Sequence, residues 1–363
     1  MSRLRVLFLL VIGLLLGVRP MLAANYAVGT CKPSLPNYAT ISAAVSGVPP
    51  FSTVQICPGT YPEQVTIAQP LTLKGITSGN AGQVVITVPP SGLTVVTDSY
   101  GNSIAALVAV TAGPVNITDI TVDGSGSNVT FPTWDVGIFY ESGSSGTVNE
   151  ITARNLSGGG GVGVWAENAN ATNESVTIKN SSFHDIDDSA VITIGSTLLA
   201  TVKGNTMQAG SYQVQWFSGG SLTSNVIYGG FVGIYVFGPA TVSGNTLANQ
   251  SYGIEGFGGV TATSNKISNV SYGIFDFGGD TYQSNTITKT GVGIEFGCNT
   301  ITALHNTIND ATIGIDNVPA SFSGINTFNS VVTLRTDGCE AGPIHGPKLP
   351  AALHTGPIPV PAR

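Results

Sequence analysis

Apolar and polar residues alternate in short runs along the second half of the chain, and the pattern returns at a near-fixed interval. One unit reads SYGIEGFGGVTATSNKISNV, with a β-rich run (GIEGF), a second run (VTATS), a turn at Asn265 and a third run (KIS). No segment between Asn205 and Asn326 has the apolar spacing of a helix. Three short strands per unit, with Gly and Asn at the corners, predict an all-β solenoid, a right-handed single-stranded parallel β-helix.

Two ladders of single residue types follow this repeat. The asparagines are Asn205, Asn225, Asn245, Asn265, Asn285, Asn306 and Asn326, and the glycines are Gly233, Gly253, Gly273, Gly293 and Gly314. Stacked coils place equivalent residues about 4.8 Å apart, so Asn amides can hydrogen-bond to one another along the column. We therefore interpret both ladders as structural and predict no catalytic role for them.

The repeat resembles the parallel β-helix repeats of pectate lyases, polygalacturonases and other exported proteins of the pectin lyase-like superfamily. Looser copies such as VNITDITVDGSG and VTIKNSSFHDIDDSAVITI extend this resemblance over about residues 84–335. The segment NYATISAAVSGVPPFSTVQICPGTYPEQVTIAQPLTLKG resembles the N-terminal module of pectin methylesterases, which implies a short capping helix before the first coil. Ile41, Ala44 and Val45 would form its apolar side. The catalytic signatures of the esterases are absent beyond residue 90, so only the fold is implied.

The N-terminus has the pattern of an export signal. Arg3 and Arg5 precede an apolar run, and the small residues at Ala23 and Ala24 offer a cleavage site. The predicted divisions are a signal peptide (1–23), a cap with the first coils (24–90), the β-helix (91–340) and a flexible Pro-rich tail (341–363). We expect no membrane span after cleavage, and a secreted, periplasmic or extracellular location.

The mature chain would be strongly acidic. The sequence has 13 Lys and Arg against 20 Asp and Glu, and the predicted signal peptide contains three of the arginines and none of the acids. Binding to phosphate depends on clustered Lys and Arg, which are missing here, so nucleic acid is excluded as a partner. The expected partner is a polysaccharide or a cell-surface glycan, and we expect a monomer.

Four cysteines in an exported chain predict two disulfides. Because only neighbouring coils of a solenoid touch, the favoured pairs are Cys31 with Cys57 and Cys298 with Cys339. The crossed pairings stay open on sequence alone. No Cys-x-x-Cys spacing occurs, so a cysteine metal site is not predicted.

The strand that begins with Gly-Ile predicts one column of side chains that points away from the core. Its members are Gln215, Tyr235, Glu255, Phe275, Glu295 and Asp316, with Trp165 at a similar place in an earlier coil. Exposed rings and acids on one face are suited to bind sugars. Trp165, Tyr235, Glu255 and Phe275 are therefore candidate ligand-binding residues, although an exposed parallel sheet also uses polar and stacked aromatic residues for structural reasons.

A second candidate is the turn in FHDIDDSAVITIGS, with His184, Asp185, Asp187 and Asp188 close in sequence. It resembles in part the paired aspartates of polygalacturonases and the His-Asp-rich turn of alginate epimerases, but the other polygalacturonase motifs are missing. Aspartate also suits turn geometry. If the turn is functional, Ca²⁺ or a sugar is the expected ligand. Otherwise no cofactor or metal site is predicted.

Candidate catalytic acids are Asp187, Asp188, Glu295 and Asp316. Coil stacking would place Glu255 and Glu295 roughly 9 to 10 Å apart and Glu295 and Asp316 about 5 Å apart. The two distances straddle the separations between catalytic carboxyls in inverting and retaining glycosidases. The leading hypothesis is a non-catalytic carbohydrate-binding or surface-architectural protein. The alternative is a polysaccharide-active enzyme, a glycoside hydrolase rather than a lyase or esterase, because the candidate faces lack a base for proton abstraction. An adhesin-like scaffold with protein partners is a third hypothesis.

Overall fold

The computed structural model describes residues 23–77, 82–158, 160–297, 302–319, 322 and 324–338. Within these residues the chain forms one short helix and 32 strands, which join into one continuous sheet. The only antiparallel pairing in the described part of the chain is between two strands at residues 96–97 and 103–104. The fold is a right-handed parallel β-helix with an N-terminal capping helix, as predicted.

The N-terminal part holds the helix and eight short strands. The helix is α1 (Ile41–Gly47), and the strands are β1 (Asn25–Val28), β2 (Asn37–Tyr38), β3 (Thr53–Ile56), β4 (Gly59–Pro62), β5 (Val65–Ile67), β6 (Leu71–Gly75), β7 (Val84–Thr87) and β8 (Val96–Thr97).

The coils without a strict sequence repeat come next. Their strands are β9 (Ser103–Val110), β10 (Val115–Thr118), β11 (Thr121–Asp123), β12 (Thr133–Tyr140), β13 (Gly146–Asn149), β14 (Thr152–Leu156), β15 (Gly161–Glu167), β16 (Glu174–Lys179), β17 (Ser182–Ile186), β18 (Ser189–Lys203), β19 (Thr206–Ala209) and β20 (Tyr212–Thr223).

The regular coils complete the solenoid. Their strands are β21 (Val226–Tyr228), β22 (Val232–Val236), β23 (Ala240–Ser243), β24 (Thr246–Ala248), β25 (Tyr252–Gly256), β26 (Val260–Thr263), β27 (Lys266–Asp276), β28 (Thr281–Gln283), β29 (Thr286–Phe296), β30 (Thr302–Leu304), β31 (Thr307–Val318) and β32 (Thr327–Asp337).

Strand pairing divides the solenoid wall into three sides. The front sheet contains the Gly-Ile strands and runs through β9, β12, β15, β18, β20, β22, β25, β27, β29 and β31. The second sheet includes β23, β26, β28 and β30. The third sheet includes β19, β21 and β24 and the first residues of β27, β29 and β31.

Helix α1 covers the first coil. Its buried residues are Ile41, Ala44 and Val45, as predicted. The Thr40 hydroxyl accepts a hydrogen bond from the N–H of Ala43 at 3.1 Å, and the Glu63 carboxylate accepts from the N–H groups of Ile41 and Ser42 at 3.0 and 2.9 Å. These contacts satisfy the free N–H groups at the start of the helix. The resemblance of this module to pectin methylesterases stays a prediction.

One of the two predicted disulfides is confirmed. Cys31 and Cys57 are bonded, with their Cα atoms 5.6 Å apart. The bond joins the loop after β1 to the end of β3, so it links two paired strands at the N-terminal end of the solenoid and does not involve the helix. Cys298 and Cys339 lie outside the described residues, as do most of the predicted signal peptide and the whole Pro-rich tail. Among the residues described, no helix has the length and hydropathy needed to cross a membrane.

The asparagine ladder forms an unbroken hydrogen-bonded column. Each Nδ2 donates to Oδ1 of the next asparagine at 2.9 to 3.0 Å, from Asn205 to Asn326. The same Oδ1 atom also accepts the backbone N–H of the preceding asparagine, and each Nδ2 donates to a carbonyl oxygen of the coil before. The ladder therefore supplies hydrogen-bond partners to the buried backbone groups of the turns along the solenoid.

The glycine ladder has a steric cause. A Cβ atom on Gly253 would lie 2.5 Å from the carbonyl oxygen of Gly273 and 2.7 Å from Cγ2 of Ile267. Gly233, Gly273 and Gly293 face the next glycine in the same way. A side chain at these positions would force the coils apart, so glycine is required for close stacking.

Candidate functional site

The predicted outward column lies in register on the front sheet. Gln215, Tyr235, Glu255, Phe275, Glu295 and Asp316 are directly paired, each with the next. The isoleucines that precede the column members in β22, β25, β27, β29 and β31 are buried in the core, at most 2 % exposed. The sequence therefore predicted the direction of these side chains correctly.

The column is not a freely exposed face, and this part of the prediction is wrong. Gln215, Glu255 and Phe275 are at most 4 % exposed, whereas Tyr235, Glu295 and Asp316 are half-buried. The cause is a second set of side chains, within the same strands and immediately after them, which cover the column from both sides.

Two rows of aromatic rings flank the column. In the row before it, Tyr252 and Tyr272 stack with ring centroids 4.9 Å apart. In the row after it, Phe257 and Phe277 stack at 4.6 Å. Phe275 packs between the rows, with its centroid 5.9 Å from Tyr272 and 4.4 Å from Phe277. The four flanking rings are half-buried themselves, so they present their remaining surface to solvent.

Trp165 is buried as well, which corrects its prediction as an exposed sugar-binding ring. It is 1 % exposed and packs edge-to-face on Trp134, with centroids 5.2 Å apart. These rings belong to an apolar cluster outside the sheet, against which Tyr100 and Phe131 pack from the loops. The loops of the early coils therefore cover the front sheet where Trp165 lies.

Glu255 is the most unusual residue of the column. It is 3 % exposed, and its Oε1 atom has no hydrogen-bond partner among the described residues. Its register neighbours are Tyr235 and Phe275. Burial raises the pKa of the Glu255 carboxyl to about 7. A buried acid without a full set of partners is costly, so this side chain is a candidate for contact with a ligand.

Glu295 lies two coils further along the column and is more open. Burial, and then the neighbouring Asp316 carboxyl, raise the pKa of Glu295 to about 7. Asp316 accepts hydrogen bonds from the Thr336 hydroxyl and from the N–H of Asn317. Stacking of coils places Glu255 and Glu295 roughly 9 to 10 Å apart along the sheet.

The four polar residues of the predicted His-Asp turn do not converge. His184 Nδ1 and Asp185 Oδ2 form an exposed pair at 2.6 Å. Asp187 instead accepts the N–H of Gly161 at 2.7 Å, and Asp188 is buried. In the described parts of the chain, no group of three or more His, Cys, Asp or Glu is placed to hold a metal. The geometry therefore gives no support to the expectation of Ca²⁺ at this turn.

Asp188 nevertheless joins the turn to the column. Gln215 Nε2 donates to Asp188 Oδ2 at 3.2 Å and to Ser189 Oγ at 2.8 Å, and the Ser189 hydroxyl donates to Asp188 at 3.0 Å. Burial, and then the nearby Glu255 and Asp188 carboxyls, raise the pKa of Tyr212 well above its usual range. Polar groups thus continue from the turn into the column.

Sequence reasoning missed two buried acids in the earlier coils. Burial raises the pKa of Asp135 to about 6 and the pKa of Glu167 to about 7, and both side chains are fully buried. Glu167 accepts hydrogen bonds from the N–H of Ser99 and the hydroxyl of Ser142. The signal for these acids is a single carboxyl within the apolar strands TWDVGIFY and GVGVWAE, which lie outside the strict repeat.

No protein-family model matches the chain, and no curated protein matches it. Solved structures of similar shape include the A-module of the mannuronan C-5 epimerase AlgE6 from Azotobacter vinelandii, with 16 % identity, 80 % of this chain and 92 % of that chain covered, and a TM-score of 0.42. A mutant of the periplasmic alginate epimerase AlgG has 13 % identity, coverage of 84 % and 81 %, and a TM-score of 0.52.

The tailspike protein gp49 of the Acinetobacter baumannii bacteriophage Fri1, a capsular polysaccharide depolymerase, has 11 % identity and a TM-score of 0.47. The match covers 89 % of this chain and 63 % of that chain. At such identities these similarities show the fold alone.

Proposed function

We propose that this protein binds a polysaccharide on the front sheet of its regular coils. The binding surface, called the glycan face below, consists of Tyr235, Tyr252, Glu255, Phe257, Tyr272, Phe277 and Glu295. The observation that carries the proposal is the arrangement of two stacked ring rows around the part of the column that contains Glu255, with Glu295 two coils further along. Half-buried rings can stack on the apolar faces of sugars, while the carboxyls of the column accept hydrogen bonds from hydroxyl groups.

The charges of the glycan face indicate which glycans fit. Its ionisable groups are acids and tyrosines, and Lys266 lies on the third sheet, paired with Thr246 and Thr286. A polyuronate would meet repulsion from Glu255 and Glu295 wherever these are ionised. We therefore expect a neutral or weakly charged polysaccharide.

Two further observations fit a protein that works outside the cytoplasm. The Cys31–Cys57 disulfide is characteristic of an oxidising compartment. The fold is shared with a periplasmic enzyme that acts on alginate, which supports a β-helix wall as a suitable scaffold for polysaccharides. Both support a secreted or periplasmic location.

Affinity electrophoresis with a panel of neutral and acidic polysaccharides tests the proposal. Tyr272→Ala should weaken retention of the protein by roughly tenfold. This corresponds to about 1.4 kcal/mol of binding free energy, the contribution expected of one stacked ring. Tyr228→Ala is the matched control, since Tyr228 is an exposed tyrosine on the third sheet. Equal retention of both variants, or no retention of the wild type by any polysaccharide, would refute the glycan face.

A second candidate function is glycoside hydrolysis, and the unsatisfied Glu255 carboxyl favours it. A buried acid with a pKa near neutrality can protonate the oxygen of a leaving group, and the more open Glu295 can accept a proton from the attacking water. Their separation of roughly 9 to 10 Å lies near the upper end of the range for inverting enzymes. Asp187, Asp188 and Asp316 are secondary candidates at the two ends of the same column.

Release of reducing ends from a retained polysaccharide separates the two functions. Glu255→Gln should abolish hydrolysis while retention persists, because the amide keeps the shape but cannot give up a proton as an acid. If no retained polysaccharide yields reducing ends with the wild type, the protein only binds its ligand.

A further inference from the structure

Three polar side chains lie inside the solenoid where neighbouring coils are apolar. Asp276 and Tyr282 are fully buried and Asp280 is 3 % exposed. In the coil before, the positions paired with Asp276 and Tyr282 are Gly256 and Ala262. A Cβ atom on Gly256 would collide with the Tyr282 hydroxyl and the Asp280 carboxylate, so the small residue leaves room for the polar group.

The contacts of Tyr282 favour a proton on one of the two acids. Its hydroxyl oxygen lies 2.9 Å from Asp276 Oδ1 and 3.2 Å from Asp280 Oδ2. A phenol has one proton, so two ionised carboxylates would have to divide it between them. A proton on the other carboxyl, donated to the phenol oxygen, gives each contact a full hydrogen bond and removes the repulsion of two negative charges at a buried site.

Asp280 also holds the turn of the coil before. Its carboxylate accepts the N–H groups of Gly258 and Val260 at 3.3 and 2.9 Å, whereas Asp276 accepts the N–H of Gly279 at 3.3 Å. Two backbone donors suit a negative charge on Asp280, which assigns the proton to Asp276. Residues 276–280 thus form a turn, called the Asp276 turn below. One proton closes it, called the shared proton below, which Asp276 holds and which the Tyr282 hydroxyl connects to Asp280.

The Asp276 turn adjoins the glycan face. Asp276 lies between Phe275 and Phe277 in the chain, and Phe277 stacks on Phe257 of the coil before. The hydrogen bond from Gly258 to Asp280 joins the same two coils next to these rings. A change of the turn would therefore disturb the spacing of the ring row.

We propose that the shared proton of Asp276 and Asp280 acts as a lock on this turn, and that its release to solvent loosens the ring row beside it. The charged or titratable groups that face Asp276 are Asp280 and Tyr282, and the residues paired with Asp276 in the coils before and after are the uncharged Gly256 and Phe296. Among the described residues, no cation is placed to replace the proton.

The lock should open near neutral pH. Burial, and then the adjacent Asp280 carboxyl, raise the pKa of Asp276 to about 7. Because the pKa is raised in the folded state, the stabilising effect is complete below the ordinary pKa of aspartic acid. It declines as the pH rises and is lost above pH 7. Over this range the unfolding equilibrium constant should increase by up to about tenfold per pH unit.

Asp276→Asn tests the lock, because the amide donates a hydrogen bond like the protonated acid and never becomes charged. Urea unfolding of the wild type and the variant would be compared at pH 5 and pH 8. The ratio of the unfolding constant of the wild type to that of Asp276→Asn should increase at least tenfold from pH 5 to pH 8. A ratio that does not change with pH would overturn the proposal.

A second measurement is made on the wild type and does not need Asp276→Asn to fold. Carboxyl ¹³C shifts of the wild type labelled at aspartate, with signals assigned through Asp280→Asn, should show one of the two acids titrating near pH 7. Titration of both acids below pH 5 would overturn the lock.

The effect on the ring row rests on the proposed glycan binding. Retention of the wild type by its polysaccharide should weaken from pH 6 to pH 8 more than retention of Asp276→Asn. Glu255 is present in both proteins, so its ionisation affects both equally. Equal weakening would overturn the coupling between turn and face. Absence of retention at every pH would refute the glycan face, while the unfolding ratio would still decide whether the lock exists.

Discussion

The asparagine ladder and the outward column of the front sheet cross the same coils at the same spacing, yet the ladder amides and the Glu255 carboxyl of the column differ in how fully they are hydrogen-bonded. In the ladder, each interior amide donates two hydrogen bonds and accepts two. In the column, Glu255 is buried among rings and one of its oxygens has no partner in the described structure. A polar column that satisfies itself stabilises the scaffold, whereas a polar group left unsatisfied is available to a ligand.

The largest expected effect comes from breaking the ladder. Asn245→Ala should lower the free energy of unfolding by about 3 to 5 kcal/mol. It leaves two donors of Asn225 without their acceptor and removes the side-chain donor to the Leu222 carbonyl and to Asn265 Oδ1, which then keeps only the backbone N–H of residue 245. Urea unfolding measures this loss.

Asn329→Ala is the control for that prediction. Asn329 donates to Asn309 at an exposed position, where solvent can replace the bond, so the loss should stay below about 1 kcal/mol. Similar losses for the two variants would show that burial of the ladder is not what makes it stabilising.

A smaller loss is expected from filling the space between coils. In Gly273→Ala the new Cβ atom would lie 2.5 Å from the Gly293 carbonyl oxygen and 2.6 Å from Cγ2 of Ile287, which should cost about 1 to 3 kcal/mol. Gly219→Ala provides the comparison, since its Cβ atom would lie 3.3 Å from Leu199 Cδ2, a tight contact that a small shift of the leucine side chain relieves. If thermal unfolding midpoints decrease equally, the steric account of the glycine ladder is wrong.

The smallest effect is expected in the outward column, where a substitution should raise the free energy of unfolding instead of lowering it. The raised pKa of Glu255 means that its contribution to stability is complete below pH 4.5 and is lost as the pH rises through 7. Glu255→Gln should therefore match the wild type near pH 5 and exceed it by about 1 to 2 kcal/mol at pH 8. Unfolding midpoints at the two pH values check this, and a loss of stability at both would show that Glu255 is satisfied in the folded protein.

Much of the scaffold could be predicted because it follows from the repeat. A fixed period determines register, so the asparagine ladder and the inward isoleucines followed from spacing alone. Helix α1 and the Cys31–Cys57 bond could be predicted from local sequence, because their partners are close in the chain.

The burial of the candidate site residues could not be predicted in the same way. Alternation along a strand gives the direction of Glu255 and Phe275, but their coverage depends on rings at other positions, on neighbouring strands and in the turns that follow. The burial of Trp165 depends on loops of the early coils, which follow no repeat. Asp135 and Glu167 lie in those coils too, so no column marked them in the sequence.

The most direct test of the account is the crystal structure of this protein with an oligosaccharide of the polysaccharide that retains it best. The account predicts a sugar over the outward column, stacked on Tyr252 or Phe257 and within hydrogen-bond distance of Glu255, with the asparagine ladder unchanged. A sugar bound at the turns or on the second or third sheet, with the ring rows of the front sheet unoccupied, would contradict it.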